Sequence, residues 1–209
     1  MWLRIVCVLL VLPSVLSGLL ACSAGTLFTG MGMRTLISPA PLWGAILASA
    51  VLFVQGCAWI AAIAAPDATR KIVSPISVAA ALGWLVWFAV STAAMVSETA
   101  VAFGGTPMAL VLNSSANLAP PLLAALSAAT LYPLAHRQRP QTILLAIGLL
   151  MLSALSLLGR LWFHSAVFGV YWVWDPSVVA HAMYVSTTFL AGLSVLALMW
   201  GESREGFRR

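Results

Sequence analysis

The sequence predicts an all-α polytopic membrane protein of about six transmembrane helices, with both termini cytoplasmic. Three observations lead there. Hydrophobic residues make up 62% of the 209 positions and charged residues 7%, with a mean hydropathy of +1.04, far from the composition of ordinary soluble domains. Apolar runs long enough to cross a bilayer, which takes about 20 helical residues, recur from one end of the chain to the other. Lipid offers no partner for backbone N–H and C=O groups, so such runs must satisfy them internally, as helices. No repeat, linker or shift in composition divides the chain, which reads as a single transmembrane domain over residues 1–209.

The first span is expected over about residues 3–22, with Arg4 as its only charge. Its ending, Leu19-Leu20-Ala21-Cys22, also fits a lipoprotein signal with Cys22 as the lipidated residue, and Pro13 and Gly18 soften the helix as a signal peptide would. A retained helix is the expectation, with the signal as its alternative. A Gly-, Ser- and Pro-containing loop with Arg34 follows, and then a second span at about 43–65. In it Gln55 is expected to bond another helix, the usual fate of a polar residue in a span. Pro66-Asp67-Ala68-Thr69-Arg70-Lys71 reads as a short basic loop. The third span, about 76–97, carries Trp84 and Trp87, which share a face at i,i+3 and point to packing or lipid contact. The polar stretch from Glu98 to Asn117 reads as an external loop, with a short interfacial helix at 107–112.

The fourth span is expected at about 118–136, with Pro120-Pro121 near its start, where missing N–H groups cost least. After the turn His136-Arg137-Gln138-Arg139-Pro140 comes a fifth span at about 141–163, then an aromatic loop at 165–176 and a sixth span at about 177–200. The tail from Glu202 to Arg209 reads as charged and soluble. With the amino terminus inside, Arg4, Arg70, Lys71, Arg137, Arg139, Arg204, Arg208 and Arg209 are cytoplasmic, and only Arg34 and Arg160 fall near the other face. This asymmetry satisfies the positive-inside rule and turns the aromatic loop outward. The net charge of +5 sits in these short loops and tails, which gives no reason to expect a nucleic-acid partner.

Chemistry is sparse. No paired carboxylates, nucleophile–base set or phosphate-cradling loop is present, so hydrolysis and phosphoryl transfer have no residues to carry them. Cys7, Cys22 and Cys57 form neither a C-x-x-C pair nor a C-x-x-C-H attachment motif. His136 lies at the cytoplasmic end of the fourth span and reads as a solvated loop residue. His164 ends the fifth span on the outer side, and His181 lies about one turn into the sixth. An ionisable group inside a membrane is a functional candidate by default, and neutral imidazole is a common ligand for haem iron. The bland alternatives are a carbonyl hydrogen bond for His181 and a merely interfacial place for His164.

Between these histidines runs Phe168-Gly169-Val170-Tyr171-Trp172-Val173-Trp174-Asp175-Pro176. In an extended segment Val170, Trp172 and Trp174 point to one side and make a flat apolar platform, and Gly169 lets a flat partner approach the backbone. The same residues also suit an aromatic interfacial belt followed by a helix start, with Asp175 as cap and Pro176 in the first turn. The run resembles the tryptophan-rich W-G-x-x-W-x-W-D signature of the haem-handling proteins of cytochrome c assembly, their haem-exporter and cytochrome c synthase branches. Gly169, Trp172, Trp174 and Asp175 match, and Phe168 stands where the family has its first Trp. The resemblance covers about 25 residues around 160–185.

The resemblance implies haem as ligand, with Gly169, Tyr171, Trp172, Trp174 and Asp175 around it and His181 or His164 on the iron. Arg160, four residues before His164 on the same helical face, would pair with a propionate; its alternative partner is Asp175. One span follows the motif here and the synthase branch's large external domain is missing, so haem contact carries over and synthase catalysis does not. The expected function is binding or handing over haem on the outer face of a bacterial inner membrane, alongside other membrane proteins of a cytochrome assembly or electron-transfer complex. The alternative is a non-catalytic accessory or assembly subunit of a respiratory or photosynthetic complex, whose helices pack through small residues.

Overall fold

The computed structural model describes residues 4–9, 12, 41–102, 107–168 and 176–206, and among them every regular element is a helix. Residues 4–9 form a short helical segment. Five longer helices follow: α1 (Pro41–Ala64), α2 (Pro66–Ala102), α3 (Pro107–Ala135), α4 (Arg139–Phe168) and α5 (Pro176–Gly206). Consecutive helices pack against each other, α2 and α3 most extensively, and α3 also touches α1 and α5, which makes it the central helix. The segment 4–9 reaches across to α5, where the Cys7 thiol donates to the Ser194 carbonyl at 3.3 Å.

Among the described residues three stretches are long and apolar enough to cross a membrane: Asp67–Ala89 in α2, Arg139–Gly159 in α4 and Tyr184–Gly201 in α5. Shorter apolar stretches occupy Ala50–Ala64 in α1 and Pro121–Ala135 in α3. The distribution of side chains matches that reading. Leu144, Ile147, Met151, Leu155 and Leu158 form an exposed stripe along α4, while Ser77, Ser127, Thr130, Thr142, Ser153 and Ser194 are buried. Large apolar groups outward and small hydroxyls inward is the arrangement of helices whose surroundings are as apolar as their side chains. Three of these hydroxyls satisfy themselves locally: Thr130, Thr142 and Ser194 each donate to a carbonyl four residues back, at 2.7–2.9 Å.

Several boundaries differ from the sequence expectation. Residues 66–71 are the first turns of α2, not a loop, and only Ala65 separates α1 from α2. Thr69 explains the continuity: its hydroxyl bonds the Ala61 and Ala65 carbonyls at 3.1 and 2.7 Å, tying the two helices together. α2 then passes through Pro75 and on to Ala102. Part of the expected external loop is also helical, because α3 starts at Pro107 and runs through Asn113–Asn117. Pro120-Pro121 therefore lie inside α3 rather than at its start. α4 continues to Phe168, into the expected aromatic loop, and the tail is helical as far as Gly206. Cys22, Arg34 and the rest of 13–40 lie outside the described residues.

α3 ends in a Schellman motif. The Gln138 N–H reaches back to the Pro133 carbonyl at 2.8 Å and the Arg137 N–H to Leu134 at 3.2 Å. Arg137 holds the left-handed position that glycine usually takes, with φ 54°. Its guanidinium is anchored on Asp67 of α2 at 2.6 Å. His136 is not simply solvated: it is half-buried, stacked on Tyr132 with centroids 4.3 Å apart, and its Nδ1 lies 2.9 Å from the Tyr132 carbonyl.

Gln55 joins three helices, as its place in an apolar span led us to expect. Its amide donates to the Ala124 carbonyl of α3 at 3.1 Å and its oxygen accepts the Trp84 indole N–H of α2 at 3.0 Å. One turn along, Trp59 of α1 donates to Ser127 of α3 at 3.1 Å, and Ser77 of α2 to the Ala128 carbonyl at 2.7 Å. Gln55→Leu keeps the volume but removes both buried bonds, to the Trp84 N–H and the Ala124 carbonyl, so it is expected to cost about 1–3 kcal/mol. The check is the thermal midpoint of purified protein in detergent; an unchanged midpoint would mean that another group takes over the indole N–H.

Candidate functional site

The candidate site sits where α4 ends and α5 begins. Pro176 opens α5 as its first helical residue, as its sequence predicts. Gly169, Tyr171, Trp172, Trp174 and Asp175 lie outside the described residues. Arg160 and His164 lie on the last three turns of α4 and His181 on the second turn of α5, by backbone position alone.

The packing of α4 on α5 sets their relative levels. The Ser153 and Thr188 hydroxyls meet at 2.9 Å. One turn further from the site, Gly192 lies directly against Leu150 and the Ala146 backbone. Both contacts fix the same antiparallel register. Counting seven residues from Ser153 and seven back from Thr188, each a rise of about 10 Å, brings Arg160 and His181 to one level. The same count puts His164 level with Ser177, one turn nearer the connecting segment. The register makes Arg160 the residue of α4 that shares a level with His181, with His164 one turn away.

Beside this end of the pair lies a well-packed floor. Tyr184 and Val185 of α5, one turn below His181, are buried with Trp84, Leu123, Ala124 and Leu149. Ser153 and Thr188 are buried too, and the Thr187 and Thr188 hydroxyls donate to carbonyls three residues back, at 2.7 and 2.8 Å. Below the level of His181 the α4–α5 interface is therefore closed and its hydroxyls are satisfied. A ligand would have to rest on it from the end where α4 stops and α5 starts.

His136 is far from this place. It follows α3 directly and precedes Arg139, from which Arg160 is about 32 Å along α4 at 1.5 Å per residue. Among the described residues no group of three or more His, Cys, Asp or Glu side chains gathers as a metal site would. Sequence reasoning missed the second polar junction, Trp59 with Ser127 and Ser77 with Ala128. Serines at helical spacing carry no signal of which neighbour they meet. It also missed an apolar groove between α1 and α2, which the shared face of Trp84 and Trp87 pointed toward. Compared with protein-family models, curated proteins and solved structures, the chain matches none of them.

Proposed function

We propose that this chain is a haem-binding or haem-handing membrane protein of the bacterial inner membrane, acting on its outer face in cytochrome c maturation or a related step. The observation that carries this reading is the run Gly169-Val170-Tyr171-Trp172-Val173-Trp174-Asp175 between two apolar helices, with its resemblance to the haem-handling signature. The register of α4 on α5 supports it by giving His181 and Arg160 a common level beside that run. In this reading Trp172 and Trp174 offer the flat face and Gly169 allows close approach. His181 is the better candidate for the iron, with His164 the second, and Arg160, Tyr171 and Asp175 meet the polar edge. Bound haem supplies the iron chemistry; the chain's part is to bind and orient. Purified protein prepared with haem available is expected to show a Soret band. Its absence would replace this reading with that of a non-catalytic accessory subunit of a respiratory or photosynthetic complex.

The reading also requires six spans, cytoplasmic termini and an outward aromatic segment, an orientation drawn from the basic residues. A reporter fused after Arg209 is expected to behave as cytoplasmic, and one inserted at Gly105 as external. An external carboxyl terminus would turn Trp172 and Trp174 inward and remove the proposed site from the outer face.

A further inference from the structure

In α2 to α5 the exposed large apolar side chains of the described residues stop at one level. Toward the α1–α2 and α3–α4 turns, the last of them are Ile72, Tyr132, Leu144 and Trp200. Three contacts made elsewhere in the bundle set these ends side by side. The Ser77 hydroxyl donates to the Ala128 carbonyl at 2.7 Å, so Ile72, five residues before Ser77, falls beside Tyr132. A Cβ at Gly148 would stand 3.7 Å from the Leu126 Cδ2. Six residues on from Leu126 and six back from Gly148 pair Tyr132 with Thr142. Ser153 meets Thr188 at 2.9 Å, and eleven residues each way pair Thr142 with Met199, the neighbour of Trp200. Arg139 ties the same turns together, its guanidinium donating to the Met199 carbonyl at 2.7 Å.

Charge begins where the apolar surface ends. Asp67, Arg70, Lys71, Arg137 and Arg139 all lie beyond this level, and the Asp67–Arg137 pair there is largely exposed. Aromatic side chains at the edge of an apolar belt, with basic ones just outside it, mark a membrane–water interface. Arg160 and His181 lie at the other end of the belt. From Thr142 to Arg160, and from Met199 back to His181, is eighteen residues, a rise of about 27 Å. The hydrocarbon core of a bilayer is about 30 Å thick. We infer that one bilayer surface crosses the bundle at Ile72, Tyr132 and Trp200, and the other at the Arg160–His181 layer. Lipid hydrocarbon covers the belt between, and Arg160 and His181 stand at the edge of the headgroup zone. A ligand held there arrives along the membrane surface and crosses no hydrocarbon. The depth rests on the membrane-embedded character of the chain and is independent of haem.

Cys57 supplies a test in the unaltered protein. It is exposed on α1. The bonds from Gln55 to Ala124 and from Trp59 to Ser127 put it level with Leu126, about 9 Å inside the Tyr132 edge. In vesicles of phosphatidylcholine and phosphatidylglycerol its thiol should be shielded, because a thiol in apolar surroundings does not form the reactive thiolate. N-ethylmaleimide would be added to vesicles carrying the wild type or the single variants Gln138→Cys, Met151→Cys and His164→Cys. Modification at each position would be timed by peptide mass spectrometry. Gln138→Cys and His164→Cys should react about tenfold faster than Met151→Cys and the native Cys57. After unfolding in dodecyl sulfate all four positions should react alike. Fast reaction of Cys57 or Met151→Cys in vesicles, or slow reaction of His164→Cys, overturns the proposal. Wild-type Soret absorbance, measured separately, reports on the haem reading alone.

Discussion

His181→Ala is expected to abolish or strongly shift the Soret band of haem-loaded protein, while His136→Ala leaves it unchanged. His181 lies by backbone position on the second turn of α5 and His164 nearer the end of its helix, and an ionisable group placed further into a span has the stronger need of a partner. His164, one turn nearer the connecting segment by register, is expected to give the smaller shift on replacement by alanine. His136 lies about 32 Å away along α4 and is already engaged with the Tyr132 ring and carbonyl. Trp172→Ala should weaken haem retention about fivefold, because stacking contributes on the order of 1 kcal/mol beyond area burial. Absorbance after gel filtration reads all four variants. Wild-type spectra from both His181→Ala and His164→Ala would sink the assignment of the ligands.

How much of this could be read in advance depended on the kind of signal. Apolar runs are long, and each described helix falls on one of the predicted spans, α1 to within two residues at either end. The errors lie where polar residues were taken to end a helix. Pro66-Asp67 looks like a turn, yet proline and an acidic residue also suit a first helical turn, and that is where α2 begins. Asn113–Asn117 and the paired prolines Pro120-Pro121 lower helix propensity, but tertiary packing around the central α3 outweighs propensity. Gln55 was legible because a lone amide in an apolar span must find a partner, although its two partners, Ala124 and Trp84, were not. Pairings such as Ser153 with Thr188 depend on the register between helices, and small hydroxyl residues give no hint of it. The aromatic run was legible as a motif for the opposite reason: indoles, a glycine and a carboxylate stand out against leucine and alanine.

Gly192→Leu should be the most damaging single change in the α4–α5 pair. A Cβ at this position would stand 3.1 Å from the Leu150 Cγ and Cδ2 and 3.2 Å from the Ala146 carbonyl oxygen. The leucine side chain of residue 150 can rotate, but the backbone oxygen cannot give way unless α4 moves. Overpacking of this kind costs about 1–3 kcal/mol and sometimes more. For a chain of this size that corresponds to a fall of roughly 2–12 °C in the thermal midpoint, at about 2–4 °C per kcal/mol. Gly192→Ala, which adds the Cβ alone, should fall between that and wild type, and Gly159→Ala, whose Cβ meets nothing within 4 Å, should not lower the midpoint. The consequence extends to the proposed site. Ser153 and Thr188 meet one turn from Gly192, so separating the helices there breaks the contact from which Arg160 and His181 take their common level. Gly192→Leu should therefore lose haem as well as stability, even at temperatures where it remains folded. A lowered midpoint with full Soret absorbance would show that the site does not depend on the spacing of α4 and α5.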